Sequence, residues 1–168
     1  MLLSGPPGIG KTTVAKALCN QLGADYYVIN GSDEGRFLDT VRTNAKNFAS
    51  TVSLTSESKH KVIIIDEADN TTSDVQLLLR ASIEEFSKNC RFIFTCNYKN
   101  KIIDPLHSRC TVVDFSINKK DKPTIATQFF SRLTNILEQE KIDTDKKVVA
   151  QLINLSLIHI SEPTRLCR

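Results

Sequence analysis

Apolar positions along this chain fall into two kinds of run that take turns. The first kind is short and continuous: Met1-Leu2-Leu3, Tyr26-Tyr27-Val28-Ile29-Asn30, Val62-Ile63-Ile64-Ile65, Arg91–Cys96 and Thr111–Phe115. These stretches are rich in β-branched and aromatic residues and predict strands. Val62 to Ile65 has no polar position, as expected of a strand covered on both faces. The second kind repeats at helical spacing: Val14, Ala17, Leu18 and Leu22; Phe37, Val41, Ala45 and Phe48; Val75, Leu78, Leu79 and Ile83. The first helix is expected from Lys11 to Leu22 and stops at Gly23. Between Ser50 and His60 the chain is Ser/Thr-rich and polar, a surface loop. Strands that alternate with helices predict an α/β fold with a mainly parallel sheet.

Beyond Phe115 the pattern changes. Ile125, Phe129, Leu133, Ile136 and Leu137 describe one long amphipathic helix with Pro123 in its first turn, and Val148, Val149 and Leu152 begin another. A boundary is therefore expected near Ser116, between a core of residues 1–116 and a small helical segment of residues 117–154.

Candidate chemistry begins where the first strand meets the first helix. Gly5-Pro6-Pro7-Gly8-Ile9-Gly10-Lys11-Thr12-Thr13 holds a glycine, four residues, then Gly-Lys-Thr. The glycines let backbone N–H groups turn inward around an anion, and the helix that follows adds its N-terminal dipole. The Lys11 ammonium can reach the β and γ phosphates of a nucleotide, and the Thr12 hydroxyl can ligate Mg²⁺. An ordinary Gly/Pro turn before a surface helix would need neither the full pattern nor its strand and helix flanks.

The buried strand Ile63-Ile64-Ile65 runs into Asp66 and Glu67, a Walker B pattern. Ligands of open α/β sheets sit at the carboxyl ends of strands, the edge that also carries the Gly-rich loop. There Asp66 is expected to hold Mg²⁺, and Glu67 to polarise the water that attacks the γ phosphate of ATP. An acidic N-cap is the plain alternative for this pair. Asn97 follows the next strand, where its amide could bond the γ phosphate or the attacking water; in isolation it would read as a turn residue. Arg109 follows a turn expected at the same ligand edge, and could reach a neighbouring subunit's ATP as an arginine finger in trans. Asp66-Glu67-Ala68-Asp69 also spells the DEAD tetrapeptide of RNA helicases, but that family's other motifs are missing.

Composition changes little in this picture. A net charge of +3 is too mild to argue for nucleic acid by itself. Five cysteines without a C-x-x-C pair, and three histidines, argue against zinc and for free thiols in a reducing cytoplasm. No apolar run has transmembrane length, so no membrane association is expected.

The loop, the Asp-Glu strand, the Asn97 strand and Ser108-Arg109-Cys110, in that order, resemble the AAA+ ATPases. Ser108-Arg109-Cys110 and Gln76-Leu77-Leu78-Leu79-Arg80-Ala81-Ser82-Ile83-Glu84 resemble, more narrowly, clamp-loader ATPase subunits of the replication factor C type. Lys11–Cys19, Asn30-Gly31-Ser32-Asp33 and Asn47-Phe48-Ala49-Ser50 are similar to the large clamp-loader subunits of T-even-type bacteriophages. The resemblance covers residues 1 to about 154. It implies an ATP-dependent subunit of a five-subunit assembly that opens a sliding clamp and loads it on primer–template DNA, in the cytoplasm, or the host cytoplasm if viral. It implies that Lys11 and Thr12 bind phosphate and Mg²⁺, that Asp66 and Glu67 are the Walker B pair, that Asn97 is sensor 1 and that Arg109 is the trans finger. Arg36, Arg42, Lys46 and Arg80 become candidates to grip the DNA backbone, against the plain reading of solvated helix charges.

The family also has an N-terminal segment that holds adenine, a third lid helix with a sensor 2 arginine, and a collar. None of these is in the sequence, so a fragment with a truncated N-terminus is expected, weak in ATP binding and hydrolysis. Residues 155–165 resemble the translation of a transposase-type sequencing-library adapter, which makes 155–168 an expected non-native tail. Two other functions stay open: another AAA+ DNA remodeller of the Holliday-junction branch-migration type, and an ATP-binding scaffold subunit that does not hydrolyse.

Overall fold

The computed structural model describes residues 1–32, 40–51, 61–118, 120–142 and 144–161. These group into two compact units, Met1–Gly5 with Ile9–Phe115, and Pro6–Gly8 with the chain from Ser116 onward.

The larger unit is built on β1 (Leu2–Ser4), α1 (Lys11–Gln21), β2 (Tyr26–Asn30), α2 (Lys46–Ser50), β3 (Lys61–Asp66), α3 (Ser73–Glu85), β4 (Cys90–Cys96), α4 (Asp104–His107) and β5 (Val112–Asp114). A π-helical turn, Thr40–Ala45, leads into α2, and short 3₁₀ turns, Ala68–Asn70 and Lys99–Lys101, follow β3 and β4. The five strands form one sheet in the order β2-β3-β4-β1-β5, with every neighbouring pair parallel. The α/β expectation with a parallel sheet is borne out.

The pleat divides the core. Ile63, Ile65, Phe92 and Phe94 join Leu2 and Ile29 on one face, against Ala45, Ala49, Val75, Leu79 and Leu106 from the helices. Val62, Ile64 and Ile93 join Leu3 on the other face, against Ala15 and Cys19 of α1. Ile63, Ile64 and Ile65 are all fully buried, as the unbroken apolar run predicts.

The side of α1 that meets the sheet differs from the apolar stripe. Ala15 and Cys19 are buried, while Val14, Leu18 and Leu22 are exposed. Small side chains let the helix lie close to the sheet, which keeps its first turn near the strand ends. Gly31 is a second close approach. Its N–H donates to the Asp66 carbonyl at 2.7 Å, and a Cβ there would stand 2.5 Å from the Glu67 carbonyl oxygen. No side chain fits between β2 and the end of β3.

The second unit contains α5 (Lys122–Gln139) and α6 (Lys146–Ser161), which pack against each other. Among the described side chains of α6, the apolar Val149 and Ile153 are buried. The helix continues through Leu155 to Ser161, so the backbone shows no break at the expected start of the tail. No helix among the described residues is long and apolar enough to cross a membrane. Arg36, Phe37, residues 52–60 and residues 162–168 lie outside the described residues.

Candidate active site

β1 leads into Gly5, and β3 and β4 end at the same sheet edge because all strands point the same way. The register pairs Ser4 with Cys96, and the Gly5 N–H donates to the Cys96 carbonyl at 3.2 Å. Gly8 (φ 75°) and Gly10 (φ 90°) take left-handed conformations, which only glycine adopts without cost. Gly10 is the residue from which α1 starts, with Lys11 and Thr12 in the first turn. Thr13 and Pro7 are exposed, and Pro6, Ile9 and Gly10 half-buried.

Lys11 is only 7% exposed. Its Nζ donates to the Gly5 carbonyl at 2.8 Å and to Asn97 Oδ1 at 2.9 Å. Burial pushes its pKa down, opposed by the charges of Cys96, Asp69, Asp66 and Glu67. An anion brought to this ammonium would relieve the same penalty. Thr12 Oγ1 donates to Asp66 Oδ1 at 2.7 Å. A hydroxyl and a carboxylate that meet at this distance are a hard oxygen donor pair, the kind Mg²⁺ takes.

Glu67 has a left-handed backbone (φ 54°, ψ 46°), unusual for a residue with a side chain. Its carboxylate accepts hydrogen bonds at Oε2 from Ser32 Oγ and from Asn70 Nδ2, the latter at 3.1 Å. Thr95, 1% exposed, stands between the two acids. Its Oγ1 donates to Asp66 Oδ1 and accepts the Glu67 N–H at 3.0 Å. Asn97, on the turn after β4, thus lies between the strand of the Gly-rich loop and the strand of Asp66.

Arg109 lies elsewhere. β5 is parallel to β1, and Thr111 at its start bonds Leu2 at the start of β1. Residues that lead into β5 are therefore at the amino edge of the sheet, not at the ligand edge where the sequence put Arg109. The reason is the β4–β5 crossover, which carries the chain back across the sheet through α4. Arg109 Nε donates to Glu84 Oε1 at 2.6 Å, and its Nη1 donates to the Pro105 carbonyl at 2.9 Å.

The family model of the AAA proteins, the ATPase family associated with various cellular activities, matches residues 1–119. The chain belongs to the AAA family. Over 158 residues this AAA chain is 43% identical to a replication factor C small subunit of Methanocella arvoryzae, across 91% of this chain and 47% of that one. It is 44% identical over 156 residues to a sliding-clamp-loader large subunit of Escherichia phage RB69, across 91% of this chain and 48% of that one. The chain thus spans about half the length of the curated relatives it matches. Among solved structures, a Thermotoga maritima RuvB Holliday junction branch migration motor is similar at a TM-score of 0.67 and 20% identity, over 90% of this chain and 47% of that one. That likeness speaks to the fold. The resemblance to clamp-loader AAA+ ATPases, carried by the motifs, is borne out by the two curated relatives.

The remaining site candidates of this AAA chain separate. Lys46 Nζ faces Glu85 Oε1 at 3.5 Å in an exposed pair. Arg80, on α3, is half-buried, and its Nε is buried with no hydrogen-bond partner among the described residues. Arg36, and the side chain of Arg42, lie outside the described residues. The sequence reading missed four polar residues that hold the acids and the turn: Ser32, Asp69, Asn70 and Thr95. Thr95 had a signal, as a hydroxyl at the end of an apolar strand. Asp69 had one too, as the last residue of the tetrapeptide.

Proposed function

We propose that this chain is the ATPase core of a sliding-clamp-loader subunit, which uses ATP to open a clamp and load it on primer–template DNA in a pentameric assembly. The observation that carries the ATP site is the convergence of Lys11, Asn97, Thr12 and Asp66 at one sheet edge, joined by hydrogen bonds of 2.7 to 2.9 Å. The clamp-loading part rests on the clamp-loader relatives together with Ser108-Arg109-Cys110.

In this reading the loop from Gly5 to Thr13 cradles the phosphates, and Lys11 trades its contacts with Gly5 and Asn97 for phosphate oxygens. Thr12 and Asp66 would hold Mg²⁺, which when bound offsets the charge on the β and γ phosphates. Glu67 is the group that takes the proton of the attacking water, once free of Ser32 and Asn70. Asn97 bonds the γ phosphate. Arg109, at the amino edge of the sheet, is far from its own chain's site by topology and serves a neighbour's ATP. A cytoplasmic setting, or a host cytoplasm, goes with this role.

The test is ATP turnover in the assembled loader. Glu67→Gln should lower turnover on the order of a hundredfold while ATP still binds, because the general base is lost and the phosphate contacts remain. Wild-type turnover should rise when clamp and primer–template DNA are added. Turnover indifferent to both would remove the clamp-loading role and leave an ATPase of another kind.

A further inference from the structure

Asp69 has no part in the chemistry outlined above, yet it is the most enclosed acid at the site, with 5% of its surface exposed. Its Oδ2 accepts two consecutive backbone N–H groups, Asn97 at 3.2 Å and Tyr98 at 3.1 Å. Its Oδ1 is buried with no hydrogen-bond partner among the described residues. A buried carboxylate that is only half satisfied costs stability. Aliphatic residues of the same size would be cheaper in a purely structural role.

What the carboxylate holds is specific. The two N–H groups belong to the turn that leaves β4, where the ladder hydrogen bonds end and nothing else in the strand register fixes the backbone. Asn97 extends from this turn to Lys11 Nζ. Bonds from N–H groups to a carboxylate are charge-assisted, and two of them to one oxygen restrain the turn. Asp69 itself is carried by the 3₁₀ turn Ala68–Asn70, directly after Asp66 and Glu67. It therefore ties the end of β4 to the end of β3.

We infer that Asp69 is a positioning residue: it fixes the turn at Asn97–Tyr98 so that the Asn97 amide meets the terminal phosphate of a bound nucleoside triphosphate. This rests on the ATP reading of the site. A residue that acts only through Asn97 on the γ phosphate should change the preference for ATP over ADP and leave ADP affinity alone.

Equilibrium binding of ATP and of ADP, with Mg²⁺, decides this for the wild type and for Asp69→Ala, Asp69→Asn, Asp69→Glu, Asn97→Ala and the Asp69→Ala/Asn97→Ala double variant. Asp69→Ala is expected to lose roughly tenfold in ATP-over-ADP preference, about what one hydrogen bond to a charged group supplies. The double variant should lose no more than Asn97→Ala alone. Asp69→Asn keeps an amide oxygen for both N–H groups and should keep the preference. Asp69→Glu keeps the charge but displaces the carboxylate, and should lose it; this variant also decides the matter if Asp69→Ala does not fold. An unchanged preference in Asp69→Ala or Asp69→Glu overturns the inference. So does an equal loss of ATP and ADP affinity, which would mark a structural role. A wild-type chain that binds neither nucleotide overturns the ATP reading, and the inference with it.

Discussion

The Thr95 hydroxyl accepts the Glu67 backbone N–H at 3.0 Å and donates its own O–H to Asp66 Oδ1. One side chain on β4 thereby satisfies a partly buried N–H in a left-handed residue and orients the neighbouring carboxylate. Thr95→Val keeps the shape and deletes both bonds. It should cost about 1–3 kcal/mol, the range for leaving a buried donor unsatisfied. Urea unfolding measures it; a change below about 0.5 kcal/mol would mean that the Glu67 N–H finds another acceptor.

Lys11 is held by the Gly5 carbonyl and Asn97 in a buried place that already works against its charge. Lys11→Ala should abolish nucleotide binding, with a loss on the order of a hundredfold or more. Stability should hold or rise, because a desolvated charge is removed. The pH dependence has a definite sign. Burial lowers the folded pKa below the ordinary 10.5, so ATP affinity of the wild type should start to fall at a lower pH than an exposed lysine would give. Titration calorimetry across alkaline pH checks both; affinity that is flat to pH 10.5 contradicts the buried ammonium.

What was legible in the sequence was local. Apolar runs marked all five strands, and β3, covered on both faces, has no polar position from Val62 to Ile65, whereas β5 carries its apolar residues exposed. The Gly-rich loop was legible because glycines with positive φ and a helix start leave a fixed spacing. The face of α1 was not. Helix–sheet contact uses Ala15 and Cys19, whose small side chains carry little apolar signal, and it exposes Val14, Leu18 and Leu22. Asp69 and Thr95 were missed for a different reason. Their partners lie 28 and 29 residues away along the chain, and only the register of β3 with β4 brings them together. The edge on which Arg109 lies is likewise a property of the crossover, which no single segment reveals.

Arg109 and Glu84 form an ion pair with the Arg Nε at 2.6 Å, both partly open to solvent. Exposed pairs contribute about 0–1 kcal/mol, so Glu84→Ala should leave stability within that range. On the role proposed for Arg109 above, its effect should fall on chemistry in trans. Without the carboxylate the guanidinium keeps only its bonds to the Pro105 carbonyl and Ser108 Oγ, and turnover of the assembled oligomer should drop several-fold, less than for Arg109→Ala. ATP affinity of the isolated chain should not change in either variant, since Arg109 is at the opposite sheet edge from Lys11. A loss of affinity in the isolated chain would contradict that placement.

Cys90 starts β4 inside the core, and burial pushes its thiol up to about 11 from the ordinary 9.0. Below pH 9 the thiol is protonated in both the folded and the unfolded chain, and its contribution to stability is fully present. As pH rises past 9, the unfolded thiol ionises while the folded one keeps its proton, so unfolding releases a proton. Stability then falls with pH, by at most about 1.4 kcal/mol per unit for this one group, until the folded thiol ionises too. Cys90→Ala removes this slope. The difference between the urea midpoints of wild type and Cys90→Ala should therefore be constant from pH 7 to about 8.5 and shift against the wild type between pH 9 and about 11. Other groups titrate in the same window, but they do so in both proteins and cancel in the difference. A difference that does not vary with pH would mean that Cys90 ionises in the folded chain as it does in the unfolded one, contrary to its burial at the start of β4.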